Sequence, residues 1–136
     1  MKVLVLGKGG REHALVYACS KSRLVDKIYA APGNVGMEPL AELVELRDDD
    51  VKGLTEFAKA KQIDLTIVGP ESSLSLGVVD AFQAEGLKIF GPSKDAAQVE
   101  TSKDFAKRIM KKYHIPTAAY QTFDNYEDAL AYVEEK

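Results

Sequence analysis

The sequence predicts an α/β fold, in which helices cover both faces of a Rossmann-like parallel β-sheet. Three observations lead to this prediction. Short runs of apolar and β-branched residues alternate with longer amphipathic stretches along the chain. Two of the short runs are almost continuously apolar, as strands buried on both faces are. Glycine and proline follow four of the five runs, which places turns where the strands end.

The apolar runs give the predicted strands. They cover residues 2–6, 27–31, 43–46, 64–68 and 87–90. The first and fourth runs are the most apolar, so we expect them at the centre of the sheet.

The amphipathic stretches give the predicted helices. They cover residues 11–22, 51–62, 78–85, 96–100 and 102–113. Asp50 and Ser102 stand where helix N-caps are expected. Each crossover should be right-handed, so the carboxyl ends of the strands meet at one sheet edge, where ligands of such folds bind.

The end of the chain has a different pattern. Pro116 ends the preceding helix, residues 117–123 read as extended, and Asn125 with Asp128 is a capping pair that opens another helix. That helix carries an apolar stripe with no evident partner, formed by Tyr126, Leu130 and Val133. The stripe suggests, as a hypothesis, that two copies of the chain associate through it.

Length and composition exclude several classes of protein. The chain has 136 residues, 46% of them hydrophobic, which suits one compact domain of ordinary size. Its single cysteine, Cys19, excludes an internal disulfide framework, and no tract resembles a signal peptide or a membrane span. A net charge of −3 argues against a general nucleic-acid-binding surface. We therefore expect a cytoplasmic protein without nucleic-acid or membrane partners.

Glycine and proline gather in four loops at the predicted carboxyl edge of the sheet. The loops contain Gly7, Gly9 and Gly10, then residues 32–36, 69–70 and 91–92. Glycine permits close approach of the backbone, and proline stiffens a loop. The four loops are either turns alone or the walls of a preformed cleft.

The first loop has the sequence of a phosphate-binding turn. Residues 3–14 read as a strand, a glycine turn and the start of a helix. Unpaired N–H groups and the positive end of the helix dipole coincide at a helix N-terminus, so phosphate binds there. Lys8 and Arg11 could add positive charge to such a site.

A nicotinamide-cofactor domain of an oxidoreductase is the alternative, and the sequence fits it less well. The fingerprint G-x-G-x-x-G would need its third glycine where this chain has Glu12. The acid expected at the end of the second strand is absent, because that strand runs into Pro32 and Gly33. A non-catalytic receiver-like module is a third hypothesis, but it would need acidic residues where Gly7, Lys8 and Gly9 stand.

Four other side chains have both a structural and a functional interpretation. Glu71 follows Gly69-Pro70 and could accept hydrogen bonds from sugar hydroxyls or an amine, or simply begin a helix. His13 could contact a ligand or pack locally. Lys103 and Lys107 share a helical face, which is ordinarily solvated. No spacing of His, Cys, Asp or Glu predicts a metal site.

Five segments resemble the phosphoribosylamine–glycine ligase family, also called glycinamide ribonucleotide synthetases. The segments are residues 7–14 (GKGGREHA), 32–36 (PGNVG), 68–71 (VGPE), 90–92 (FGP) and 102–107 (SKDFAK). The resemblance extends over the whole chain and implies an ATP-grasp enzyme of purine synthesis. It implies a pre-ATP-grasp substrate-binding domain at residues 1–92, and linker helices with the start of the ATP-grasp domain at 93–136.

The resemblance also implies an activity. Enzymes of this family use ATP, with Mg²⁺ or Mn²⁺, to phosphorylate the carboxylate of glycine. The amine of 5-phosphoribosylamine then attacks the glycyl phosphate. The nucleotide lid and the metal-binding carboxylates of the family would lie beyond Lys136, so this part of the chain should be inactive alone and holds no catalytic residue.

The family's binding residues carry over to positions at the predicted sheet edge. By resemblance, Gly9, Gly10, Arg11 and Glu12 border the phosphoribosyl group. Asn34 and Gly36 form a second wall, and Glu71 approaches the ribose or its amine. Lys103 corresponds to the basic residue near the ATP phosphates. Lys8 departs from the smaller residue that is frequent in the family, so of these assignments its phosphate contact has the least support from the resemblance.

Overall fold

The computed structural model describes residues 1–135 and divides the chain into two compact units. The first is Met1–Thr101, and the second begins at Ser102. The predicted domain boundary at 92/93 lies earlier than this division and stays a prediction. No helix among the described residues combines the length and the apolarity that crossing a bilayer requires.

The first unit is built on a five-stranded sheet. Its strands are β1 (Lys2–Gly7), β2 (Lys27–Pro32), β3 (Glu42–Leu43), β4 (Leu65–Val68) and β5 (Ile89–Phe90). The strand order is β3-β2-β1-β4-β5, and every neighbouring pair is parallel. The predicted α/β fold is confirmed, and the two most apolar runs, β1 and β4, are both interior strands.

Seven helices accompany the strands in the described residues. They are α1 (Gly10–Ser20), α2 (Val51–Lys61), α3 (Glu71–Ser75), α4 (Val78–Ala84), α5 (Lys94–Thr101), α6 (Lys103–Lys112) and α7 (Tyr126–Glu135). A single 3₁₀ turn covers Val35–Met37. Asp50 caps α2 by accepting a hydrogen bond from Gly53 N at 2.9 Å, as predicted.

The hydrophobic core lies on both faces of the sheet. Alternation along β1 sends Leu4 and Leu6 to one face, and Val3 and Val5 to the other. On the first face the strands pack with α2 and α4, through Leu54, Ala58, Val78, Val79 and Phe82. On the second face they pack with Val16 of α1 and with Met37. The sheet is therefore covered by helices on both sides.

The largest differences between the structure and the predicted elements are at β3 and α3. Strand β3 ends at Leu43, whereas the prediction placed it at 43–46. Val44 and Leu46 nevertheless pack against the core, which explains the apolar pattern. Helix α3 is not among the predicted helices, because its serines are weak helix formers, although a helix start was one of the two interpretations of Glu71. Tertiary contact holds it: the buried Ser73 hydroxyl donates to Asp48 O at 2.7 Å.

The second unit contains α6, an extended segment and α7. Ser102 caps α6 by accepting from Phe105 N at 3.2 Å. The segment 117–123 lies along α6, where Lys107 Nζ donates to Thr117 Oγ1 at 2.7 Å. Asn125 Oδ1 accepts from Asp128 N at 2.9 Å, which opens α7 as the sequence predicts.

The apolar stripe of α7 faces solvent in the structure. Tyr126 is 73% exposed and Val133 70% exposed, while Leu130 is the least exposed of the three. Self-association through this stripe stays a prediction.

Candidate functional site

The loops after β1, β2 and β4 meet at the carboxyl edge of the sheet. Gly33 N donates to Gly7 O at 3.1 Å, and Gly69 N donates to Leu6 O at 3.2 Å. Both bonds continue the ladder of the parallel sheet beyond its strands. Gly7 has a φ of +112°, a backbone conformation that residues with a side chain rarely adopt. The sheet therefore brings three predicted loops into direct contact.

The second loop is fastened to the first by Asn34. Its Nδ2 donates to Lys8 O at 2.8 Å, while its Oδ1 accepts from Gly36 N at 2.9 Å. Both ends of the amide are thus used within the protein. Asn34 fixes the distance between the two walls of the opening.

Glu12 lies inside the first loop, where it is only 4% exposed. Its Oε2 accepts a hydrogen bond from Gly9 N at 2.7 Å, which satisfies an amide ahead of α1. Its Oε1 accepts from Arg11 Nε at 2.9 Å. The carboxylate at the position of the fingerprint's third glycine therefore ties the loop to the helix and to a cation.

Glycines make the room for this carboxylate. A Cβ added to Gly7 would lie 2.6 Å from Glu12 Cγ, and one added to Gly9 would lie 2.7 Å from its Oε2. A Cβ on Gly69 would overlap Glu12 Cγ and Oε1. The glycines of two loops are thus required by a side chain of the protein itself.

Arg11 connects the first loop to the start of α3. Its NH2 group donates to Glu71 Oε2 at 3.2 Å, and more than half of each side chain is exposed. Hydrogen bonds to Glu12 and then to Glu71 raise the pKa of the Arg11 guanidinium. The pKa of Glu71 is lowered, chiefly by a hydrogen bond from its own backbone and next by Arg11. The two charges therefore stay ionised beside the loop.

The start of α1 is open at Gly10. No atom lies within 4 Å of the position that a Gly10 side chain would occupy, apart from its chain neighbours and the backbone of its own helix. The first amides of a helix have no acceptor within the helix, and they carry the positive end of its dipole. Glu12 already occupies Gly9 N, so the amides available to an anion begin at Gly10.

Two other parts of the predicted cleft serve packing. A Cβ on Gly36 would lie 3.0 Å from His13 Cε1, so the imidazole ring packs against the second loop. In the fourth loop, a Cβ on Gly91 would lie 3.0 Å from Val79 Cγ2. Gly91 therefore allows its loop to approach the core.

The predicted site residues of the first unit are thus found at one edge of the sheet. They are Gly9, Gly10, Arg11, Glu12, Asn34, Gly36 and Glu71. The sequence did not indicate that the side chains of Glu12 and Asn34 would form hydrogen bonds to other groups of the protein. A partial signal was present for Glu12, which stands three residues after Gly9 as the glutamate of a capping box does, although glycine supplies no capping side chain.

Lys103 belongs to the second unit, at the first position of α6. A groove of about 390 Å³ lies beside it within that unit. The groove is lined by Lys103, Asp104, Lys107 and residues 120–123. Lys107 Nζ also donates to Ala118 O at 2.9 Å, so the extended segment holds Lys107 in place.

The residues described offer no metal centre. Within 1–135, no three His, Cys, Asp or Glu side chains gather as metal ligands would. The resemblance places the carboxylates that would bind Mg²⁺ or Mn²⁺ beyond Lys136, outside these residues.

Comparison with known proteins decides the family. Residues 1–100 match the family described as phosphoribosylglycinamide synthetase, N domain. Residues 101–136 match the ATP-grasp (A) domain of the same synthetase. The chain belongs to the phosphoribosylglycinamide synthetase family.

Individual members of that family are similar along the whole chain. A phosphoribosylamine–glycine ligase of Caldanaerobacter subterraneus is 56% identical over 99% of this chain and 32% of its own length. One of Salmonella typhimurium is 54% identical over 100% of this chain and 32% of its own. The chain thus spans about a third of the length of these relatives.

A solved structure gives the same result for the fold. The crystal structure of phosphoribosylamine–glycine ligase from Thermotoga maritima is 28% identical, with a TM-score of 0.73. The match covers 99% of this chain and 30% of that one. Membership of a synthetase family favours the ligase interpretation over the nicotinamide-cofactor alternative.

Proposed function

We propose that this chain supplies part of the 5-phosphoribosylamine site of a phosphoribosylamine–glycine ligase. The complete enzyme would transfer the γ-phosphoryl group of ATP to the carboxylate of glycine, giving glycyl phosphate and ADP. The amine of phosphoribosylamine would attack the glycyl carbonyl carbon, lose a proton and release phosphate. The observation that carries the proposal is the open start of α1 at Gly10, beside the paired charges of Arg11 and Glu71.

The phosphate of the substrate fits the first loop. The amides at the start of α1 and the guanidinium of Arg11 provide donors and positive charge in one place. The open space at Gly10 would let the phosphate approach the backbone of the helix start.

The sugar would lie between the first and second loops. Glu71 is ionised and accepts hydrogen bonds only, so it suits ribose hydroxyls or the amine of phosphoribosylamine. Asn34 and Gly36 would form the opposite wall, at a distance fixed by the bond from Asn34 to Lys8 O. Glu12 would support the site from within.

The remaining substrates would be bound mainly by other parts of the enzyme. Lys103, beside the groove of the second unit, would neutralise phosphates of ATP. The described residues offer no group of metal ligands, so no step here is assigned to a divalent metal. A single cysteine is usual in a reducing compartment, and we place the reaction in the cytoplasm.

An NMR titration tests the proposed site. Ribose 5-phosphate carries the phosphate and hydroxyls of the substrate and is chemically stable. We expect it to shift the amide resonances of residues 9–12, 34–36 and 71. Arg11→Met should weaken binding about tenfold, because a charge-assisted hydrogen bond is lost. Lys52→Met removes a lysine from the distant surface of α2 and is the matched control.

The same titration can contradict the proposal. Shifts confined to residues outside the three loops would show that the site is elsewhere. Saturable binding of NAD at residues 9–12, without binding of ribose 5-phosphate, would favour the oxidoreductase alternative.

A further inference from the structure

We propose that Glu12 positions the site and does not contact the substrate. The inference rests on the proposed function, because it assigns a role within the same phosphoribosyl site. Glu12 corresponds to a position that resemblance alone places against the phosphoribosyl group. The structure gives its carboxylate other partners.

The Glu12 side chain is buried beneath the first loop. Glu12 is 4% exposed, while its neighbour Arg11 keeps 58% of its side chain in solvent. A ligand that reached the Glu12 carboxylate would have to displace the glycine turns that enclose it. Arg11 stands outside those turns and can be reached.

Hydrogen bonds within the protein occupy the Glu12 carboxylate. Oε2 is held by Gly9 N at 2.7 Å and Oε1 by Arg11 Nε at 2.9 Å, so both carboxylate oxygens have a donor. A buried carboxylate is stable only with such partners. Here the partners are the amide at the head of the phosphate loop and the cation beside it.

The consequence for binding follows from the geometry of Arg11. Its Nε is directed to Glu12, and its NH2 group to Glu71. A guanidinium held at two points keeps one orientation at the mouth of the loop, so less rotamer entropy is lost when a phosphate binds. Glu12 would therefore raise affinity for the phosphate through Arg11.

A double-mutant cycle in the complete protein tests this role. The affinity for ribose 5-phosphate is measured by calorimetry for wild type, Glu12→Gln, Arg11→Met and the double variant. Gln has the same shape and can still accept from Gly9 N, but it lacks the charge that holds Arg11. We expect Glu12→Gln to weaken binding about tenfold with Arg11 present, and less than twofold once Arg11 is Met.

Two further measurements distinguish a role of Glu12 in positioning Arg11 from a role in the stability of the fold alone. The KM for phosphoribosylamine should rise in Glu12→Gln while the KM values for glycine and ATP stay unchanged. The Arg11 Nε–H resonance of the ligand-free protein should also move in this variant. Glu56→Gln, on the exposed surface of α2, is the control and should change neither quantity.

The outcomes are distinct. Equal losses for Glu12→Gln in both Arg11 backgrounds would show that Glu12 does not act through Arg11. That result would overturn this inference and leave the proposed function standing. Unchanged affinity in Glu12→Gln would also overturn this inference. Failure of the wild-type protein to bind ribose 5-phosphate would overturn the proposed function, and the inference with it.

Discussion

At the scale of single residues, Glu12 accounts for one of the two departures of this chain from a dinucleotide fingerprint. The third glycine of that fingerprint lets the helix pack close to a strand. Glu12 stands there instead, and its carboxylate fits because Gly7, Gly9 and Gly69 have no side chains. Two glycines of the phosphate-binding turn and one glycine of the loop after β4 are therefore needed to enclose this glutamate.

Gly69→Ala should destabilise the protein by about 1–3 kcal/mol, because the added methyl group overlaps the buried Glu12 side chain. The measurement is chemical denaturation. In a Glu12→Gly background the same change should cost clearly less, since the overlapping atoms are gone. Equal costs in the two backgrounds would contradict the account of Glu12 as the neighbour that requires Gly69.

The Glu71 carboxyl should titrate below the ordinary range for glutamate. A backbone hydrogen bond and then Arg11 lower its pKa in the folded state. The folded pKa lies below the unfolded one, so this contribution to stability is fully present above the unfolded pKa. It is lost as the pH falls through the folded pKa.

NMR titration of the carboxyl carbon measures this value. Arg11→Met should raise the pKa of Glu71 towards the ordinary range, because the second of the two causes is removed. Lys52→Met, on α2, should leave it unchanged. A pKa that does not respond to the loss of Arg11 would show that the ion pair is absent in solution.

At the scale of elements, strand β4 carries an unsatisfied polar group in the core. Thr66 is 1% exposed, and its Oγ1 has no hydrogen-bond partner among the described residues. Thr55 on α2 is also buried, but its hydroxyl donates to Val51 O at 2.7 Å. The two threonines therefore form a matched pair for a stability experiment.

Thr66→Val should stabilise the protein by about 1 kcal/mol, because valine has nearly the same shape and removes a buried hydroxyl without a partner. Thr55→Val loses a hydrogen bond and should be neutral or destabilising. Denaturant midpoints of both variants measure the difference. Destabilisation by Thr66→Val would mean that its hydroxyl finds a partner, such as a buried water.

At the scale of the whole molecule, both core clusters lie within the first unit. The larger cluster includes Ala97 of α5, which is 4% exposed. The predicted boundary at 92/93 would remove this helix, whereas the division after Thr101 keeps it. The two choices make different predictions about an isolated domain.

Residues 1–101 expressed alone should fold cooperatively, and residues 1–92 should be less stable by about 1–3 kcal/mol, because α5 no longer covers its part of the core. Denaturant unfolding and amide dispersion in NMR spectra compare the two pieces. Equal stability would support the boundary at 92/93. An unfolded 1–101 would show that the first unit depends on the residues that follow it.

The sequence by itself determined the sheet, the central place of β1 and β4, and the loops that meet at its carboxyl edge. These features follow from local signals: apolar periodicity, glycine and proline at strand ends, and the cap at Asp50. Its motifs also indicated the family that the comparisons showed. Local chemistry is enough for such features because each is encoded by neighbouring residues.

Only the tertiary structure decided how the site is assembled. Helix α3 forms because Ser73 reaches the distant Asp48. Strand β3 ends at Leu43, and among the described residues only the Val44 N–H continues its bonding to β2, by donating to Ala30 O at 2.9 Å. The roles of Glu12 and Gly69 depend on atoms that are far apart in sequence and touch across two loops. Contacts of this kind are set by the packing of the sheet edge, which no local pattern contains.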